Sequence, residues 1–442
     1  MKRIENWLFY IFLFTIPISI RHIFGFEPFN FVEWTSIYIY ATDFILGCLF
    51  SLLFINWRTD KLLETVKWEL VIKPSDWFLI AFVAVAGLSI IDALDVQTAL
   101  FQWVKLIEGV ALYFYIKDYA LLRFNLNRGF VALIVGGVFQ SIIAIAQFMM
   151  QGSLGLKYLG ESLLAPALSG IAAFFVDGIK IMRAYGTTPH SNVLALYLFI
   201  SLFAFYALSG LKIENWKLKI ARSEWWWHVF HAVILWAFFL TFSRVVIGLW
   251  AVNFVIRSFL IRFHKPFHTE FWQNVEMRHR SLKIFWTTIT VAVLFVIAYW
   301  PYVVNRSVIS STGEAIQLRV LYNHESLASE HNIFGLGMGN FLPWLMNQNL
   351  HLNREVYQPV HNIYLLIYSE IGIIGIALFL LFLSFLIYDF YRRLGFKKLY
   401  HFSFGLIIVS VLIFGLFDHY LWTIQSGRLL FWLILGLLAG AD

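Results

Sequence analysis

Apolar side chains run along this chain in long unbroken stretches, and polar and charged residues gather in the intervals between them. A helix crosses the hydrocarbon core of a bilayer with about 20 apolar residues. Twelve stretches approach or reach that length, at approximately 7–25, 32–55, 76–92, 98–116, 129–150, 190–208, 226–242, 244–261, 284–301, 362–388, 401–418 and 420–438. The pattern predicts an all-α polytopic membrane protein of about 12 transmembrane helices, with a large loop region between the ninth and tenth. The first stretch has no small-x-small cleavage site around Ile18, Ile20, Arg21 and His22, so it reads as a retained anchor.

Two intervals are too long for simple turns, 151–189 and 302–361. The first contains LLAPALSGIAAFF at 163–175, which is short and broken by Pro166, so it either lies along the interface or re-enters. The second is halted by Pro359 before the apolar run QPVHNIYLLIYSEIGIIG, with His361 and Asn362 at the lip of the next helix.

Composition agrees with this reading. Of the 442 residues, 60% are hydrophobic and 13% charged, against roughly 25% charged in soluble domains. The basic residues are unevenly placed: 23 of the 33 Lys and Arg fall in 1–6, 56–75, 117–128, 209–225, 257–283 and 389–400. The long intervals 151–189 and 302–361 hold 3 each. The positive-inside rule therefore puts both termini in the cytoplasm and both long intervals outside. The net charge of +7 follows from that bias and calls for no nucleic-acid partner. The single cysteine, Cys48, excludes an internal disulfide, and no close His or Cys spacing suggests a metal or cofactor.

A few polar residues interrupt the apolar pattern. Lys105 and Glu108, three apart on one helix face, are either a buried structural pair or part of a substrate path. RAYGTTPHSNVLALYL, 183–198, turns at Gly186 and Pro189 and delivers His190 and Asn192 to the sixth span; Ser191 suits a helix N-cap and Arg183 a snorkelling charge. TFSRVVIGLW, 241–250, places Arg244 at a tight turn, where its fork suits a phosphate or a lipid headgroup. Arg319 stands in QLRVLYNH with Tyr322 three residues on. GLGMG, 335–339, lacks the strand and helix of a dinucleotide fingerprint and reads as a tight turn between surface helices.

Taken in order, RAYGTTPHSN, TFSR, the Arg319–Tyr322 stretch, FGLGMGNF, HNIYL and EIGIIG resemble the O-antigen ligase and O-antigen polymerase superfamily, strongly from about 241 to 376. The resemblance implies a GT-C-like membrane glycosyltransferase on the outer face of a bacterial inner membrane. On this division, 1–182 is a transmembrane scaffold and 183–442 the catalytic region. The donor would be a glycan on a polyprenyl (undecaprenyl) diphosphate, passed to an acceptor hydroxyl such as a lipid A core or, in a polymerase, a second lipid-linked repeat unit. The resemblance makes Arg244, Arg319 and His361 catalytic, and Arg183, His190, Asn192, Tyr322, Asn362, Tyr364 and Glu370 substrate-binding. With no metal signature, the two arginines would stabilise the leaving diphosphate. His361, with an ordinary histidine pKa of about 6.5, would serve as base at neutral pH. A transporter of twelve spans would instead show duplicated halves with broken helices at the midplane, and none are visible here.

Overall fold

The computed structural model describes residues 2–24, 33–59, 72–209, 224–265, 267, 272–273, 275–308, 314–328, 333–348, 356–394 and 399–440. It is mostly helical. In chain order the longer elements are α1 (Lys2–Thr15), β1 (Arg21–Phe24), β2 (Ile37–Tyr40), α2 (Ala41–Thr59), α3 (Pro74–Leu88), α4 (Val96–Phe114), α5 (Leu126–Met150), β3 (Ala173–Val176) and β4 (Ile179–Met182). There follow α6 (Ser191–Ser209), α7 (Glu224–Leu240), α8 (Arg244–Phe263), α9 (Val275–Ala298), α10 (Trp300–Ser307), α11 (Glu314–Ala328) and α12 (Phe341–Asn347). The chain closes with α13 (Ile363–Leu394), α14 (Leu399–Phe414), α15 (Tyr420–Thr423) and α16 (Gln425–Gly440).

Among the described residues, seven helical stretches are long and apolar enough to cross a membrane: Pro74–Asp92, Val96–Arg123, Leu126–Met150, Ser191–Leu208, Arg244–Phe263, Arg278–Ala298 and Ile363–Leu394. Shorter apolar helices cover Ala41–Asn56, Trp225–Leu240, His401–Phe414 and Gln425–Gly440. Large side chains such as Phe44, Ile142, Trp286 and Ile297 stand exposed along these helices. Water would penalise that arrangement and lipid does not. The protein is membrane-embedded.

The expectation of helix alone needs correcting in three places. The first apolar stretch is two elements, because α1 ends at Thr15 just before Pro17, which has no N–H to continue a helix. The chain then extends as β1 and pairs antiparallel with β2, Arg21 opposite Tyr40 and Phe24 opposite Ile37. The second stretch accordingly starts as a strand and becomes α2 only at Ala41. In the 151–189 interval, the end of the LLAPALSGIAAFF piece is β3, hairpinned to β4. Asp177 and Gly178 form its two-residue turn with φ of 50° and 79°, the left-handed pair that an Asp-Gly type I′ turn requires.

Contacts divide the chain into two compact units that interleave in sequence: Met1–Ile20, Phe124–Ile309 and Gly395–Ser410 form the first, and Arg21–Arg123, Ser310–Leu394 and Val411–Asp442 the second. In the first unit α5 packs against α1, α6 and α7. In the second, α13 lies along α3, and α16 along α4.

Two lysines inside the second unit are paired with carboxylates. Lys105 Nζ lies 2.8 Å from Glu108 Oε2 and 2.5 Å from Asp43 Oδ2, the structural alternative of the two left open by the sequence. Gln425 bridges the two carboxylates, donating to Asp43 Oδ1 at 2.7 Å and Glu108 Oε1 at 3.2 Å. Lys117, assigned by charge pattern to a surface loop, is buried at the end of the Val96–Arg123 helix with its Nζ 2.5 Å from Asp76 Oδ2. Tyr113 donates to the other oxygen of that carboxylate at 2.7 Å. Such charges are tolerated at depth because each has a partner of opposite sign.

Candidate functional site

In the first unit, the RAYGTTPHSN segment is a folded turn sewn to α5. Gln140 and Gln147, two turns apart on one helix face, each present an amide to its backbone. Gln147 Oε1 accepts from Gly186 N at 2.8 Å and Gln147 Nε2 donates to Gly186 O at 2.8 Å. Gln140 Oε1 accepts from Thr187 N at 2.8 Å. Gly186 is obligatory here: its φ is +63°, and a Cβ would come within 2.4 Å of Gln140 Oε1. His190 Nδ1 accepts from Asn192 N at 3.1 Å, which makes the histidine a local turn former.

Arg183 is 5% exposed. Its Nε donates to Thr241 O at 2.5 Å and its Nη2 to Asn192 Oδ1 at 2.5 Å. The next carbonyl, Phe242 O, accepts from Arg306 Nε at 3.3 Å. Phe242 itself adopts φ +44°, a conformation that costs a bulky residue roughly 1–3 kcal/mol. Its ring is held against Phe174, Phe148 and Phe295 at centroid distances of 4.8, 6.0 and 5.8 Å. Arg244 opens α8 immediately after the turn and is exposed. Its guanidinium closes the end of another helix. Nε donates to Arg306 O at 2.7 Å and Nη2 to Val308 O at 3.0 Å, satisfying carbonyls at the C-terminal end of α10. The turn thus gathers Arg183, Arg244 and Arg306, and each arginine donates to main chain.

The second unit holds a different arrangement. Arg319 and Tyr322 lie one turn apart on α11. Tyr322 is buried and its hydroxyl donates to Val356 O. Its ring lies parallel to that of His361, centroids 6.0 Å apart, and His361 meets His419 edge-on at 4.8 Å. His419 is fully buried, with Nδ1 2.7 Å from Thr423 Oγ1, and Trp34 stands edge-on to it at 4.9 Å. Burial, and then the Arg319 charge, pull the His361 pKa down to about 3, with the Pro359 carbonyl opposing. This corrects the expectation of an ordinary histidine titrating near neutrality. The imidazole is neutral at pH 7, and its buried Nδ1 has no hydrogen-bond partner among the described residues. Arg319, half-buried, makes no hydrogen bond and no ion pair among the described residues.

Three other residues of the histidine and glutamate motifs hold the fold together. Asn362 is the N-cap of α13, its Oδ1 accepting from Tyr364 N at 2.9 Å and Leu365 N at 3.2 Å. Tyr364 donates to Leu412 O at 2.9 Å. Glu370 accepts from the backbone N–H groups of Gly339 and Phe341 and from the Trp422 side chain. The glutamate therefore anchors the glycine-rich loop. That loop is also held where Leu336 N donates to Ser369 O at 2.9 Å, beside a kink in α13 at Gly372, φ +76°. A Cβ on Gly372 would lie 2.1 Å from Ile333 O, so FGLGMGNF and EIGIIG fold as one packed unit. Asn340 ties the same loop to the start of α4, its Oδ1 accepting from Asp95 N at 2.6 Å.

Sequence reasoning passed over several of these residues. Arg428 donates from Nε to Trp422 O and from Nη2 to Gln102 Oε1; an arginine inside the last apolar stretch was itself a signal. Trp34, Gln102, Pro359, Glu370, Trp422 and Arg428 border a small cavity of about 20 Å³, space for about one water. His419 stood in the DHY triplet that opens that stretch, a polar mouth like that at His361. Arg306 gave no signal, because its role depends on where α10 ends. Among the described residues no group of three or more His, Cys, Asp or Glu side chains is placed to hold a metal ion. No family model matches this chain, and no curated protein matches it.

Proposed function

We propose that this membrane-embedded protein is a glycosyltransferase of O-antigen ligase type, moving a glycan from a polyprenyl diphosphate to an acceptor hydroxyl. The supporting observation is the pairing in the second unit of Arg319 with a neutral His361, where among the described residues the arginine has no acceptor and the His361 Nδ1 no hydrogen-bond partner. A guanidinium at a membrane rim with no acceptor among the described residues suits a diphosphate, which it meets with two parallel N–H groups. In the reaction, the acceptor oxygen attacks the anomeric carbon as the bond from that carbon to the diphosphate oxygen breaks, inverting the centre. The bonding pair leaves on the diphosphate, where Arg319 stabilises the charge. The acceptor hydroxyl donates to the neutral His361 ring, which orients it, and the hydroxyl proton passes to solvent water as the new bond forms. Nδ1 is covered in this state, so the reading requires the Val356–His361 segment, tethered by Tyr322, to move aside as the acceptor enters.

The same reading takes the apolar helices as spans, with both termini cytoplasmic, α11 on the outer face of a bacterial inner membrane, and no metal in the step. Orientation is tested by Gln317→Cys on α11 in a Cys48→Ser background. An impermeant thiol reagent should label it in intact spheroplasts; labelling only after permeabilisation overturns the orientation. Ser329, just past the end of α11, lies outside the described residues.

Function is tested by reconstitution with a defined polyprenyl-diphosphate glycan and separate acceptors. A new glycosidic bond that survives EDTA and is lost in Arg319→Gln and His361→Ala supports the reading. Transfer to a lipid core rather than to a second lipid-linked repeat unit marks the ligase. Translocation of the carrier without bond formation identifies a transporter.

A further inference from the structure

An apolar cavity of about 340 Å³ lies in the first unit, among α6, α8, α9 and α14. Phe203, Trp250, Phe254, Phe285 and Leu406 supply its apolar wall, and Arg257 and Arg262 border it near the end of α8. Arg257 is thirteen residues along α8 from Arg244, about 20 Å of helix rise, so the charged end of the cavity is remote from the Thr241–Arg244 turn.

Among the described residues Arg257 makes no hydrogen bond and no ion pair; its guanidinium faces the Tyr206 ring at 5.5 Å. Arg262 likewise rests only against an aromatic face, that of Phe263 at 5.5 Å. Arg257, half-buried beside an apolar cavity in a membrane helix, is costly there unless an anion meets it. Among the described residues that line the cavity there is no Asp or Glu to meet either arginine.

We propose that this cavity binds one acyl chain of an anionic phospholipid, with the lipid phosphate on Arg257 and Arg262. Three features favour a bilayer phospholipid. Only Val246 and Trp250 of α8 are buried, and Val252, Val255 and Phe259 stand exposed on it, so one face of the helix is open to the bilayer. Exposed Trp272 and Arg262 border the cavity, the residue types that sit at headgroup level. The volume is at the small end of ligand pockets, enough for part of one chain and too little for a lipid-linked glycan. The site does not depend on the transferase reading.

Native mass spectrometry of the detergent-purified full chain, titrated with phosphatidylglycerol and with phosphatidylcholine of identical chains, provides the test. The wild type should prefer phosphatidylglycerol by about tenfold or more, the scale of losing charge-assisted hydrogen bonds. Arg257→Gln with Arg262→Gln should abolish the preference while leaving weak binding of both lipids. Ser403→Trp, which fills the cavity and keeps both arginines, should lower phosphatidylglycerol binding by a similar factor. Should the double variant fail to fold, Arg262→Gln alone and Ser403→Trp decide. Equal binding of the two lipids by the wild type overturns the proposal, as does wild-type binding by Ser403→Trp, which would reduce the site to surface charge. Displacement of phosphatidylglycerol by equimolar isoprenoid phosphate would assign the cavity to an isoprenoid and also overturn it.

Discussion

The arginine-bearing turn of the first unit and the histidine corner of the second contain the same kinds of side chain, yet they differ in what those side chains touch. At the turn, Arg183, Arg244 and Arg306 all donate to backbone carbonyls, and His190 accepts from a neighbouring amide. At the corner, among the described residues, Arg319 has no acceptor and His361 Nδ1 has no hydrogen-bond partner. A polar group already satisfied by the fold is explained by the fold. One left unsatisfied carries a cost that a bound ligand can remove. The contrast moves the weight of the mechanism from Arg244 to Arg319 and His361, and experiment can overturn it.

Turnover should respond most strongly at the corner. Arg319→Gln should reduce transfer by about 10²- to 10³-fold, the scale of removing one preorganised charge stabiliser, with the melting temperature unchanged. Arg319→Lys, which keeps the charge and loses the fork, should recover only part of it. Near-normal transfer by both variants in the reconstituted assay would remove Arg319 from the chemistry.

Changes at the turn should act on stability instead. Arg183→Gln leaves buried acceptors at Thr241 and Asn192 under-satisfied, at a cost of about 1–3 kcal/mol. Gly186→Ala adds a strained backbone and a clash with Gln140, again about 1–3 kcal/mol. Thermal melts in detergent should fall for both while the folded fraction keeps its specific activity. Loss of turnover at an unchanged melting temperature would make the turn part of the site.

Arg244→Gln compares the two regions directly. It removes an exposed guanidinium from two carbonyls at the end of α10, a loss of about 0.5–1.5 kcal/mol. A small drop in melting temperature with transfer within a few-fold of wild type is expected. A fall matching that of Arg319→Gln would restore the catalytic role that the motif alone suggested.

Changes in pH should matter least. His361 is held near pKa 3, below its unfolded value of about 6.5, so the neutral ring persists in the folded state through the mildly acidic range. Transfer should therefore show no acid limb from His361 between about pH 5 and 8. The stability linkage has a definite sign: between about 6.5 and 3 the unfolded chain binds a proton that the folded chain does not, so this group's contribution falls as pH falls through that window. A rate profile with an apparent pKa near 6.5 that disappears in His361→Ala would show the ring titrating normally and undo the contrast.

The positions of the apolar helices were legible in the chain alone, because burial in lipid needs only length and apolarity, which are properties of consecutive residues. So were Gly186, the turn at Thr241–Arg244, and the common helix face of Lys105 and Glu108, since each is a local geometric requirement. The break at Pro17 and the Asp177–Gly178 turn were equally local; there the apolar run masked two short hairpins. Which polar groups are satisfied emerged only from the folded arrangement. Whether Arg244 meets Val308, Glu370 meets Gly339, or Asp43 meets Lys105 depends on residues far apart in the chain, and hydrogen-bond satisfaction is a property of assembled neighbours. The state of His361 belongs to the same class, because Arg319 and the burial around the ring set its pKa, and residue type sets only the starting value.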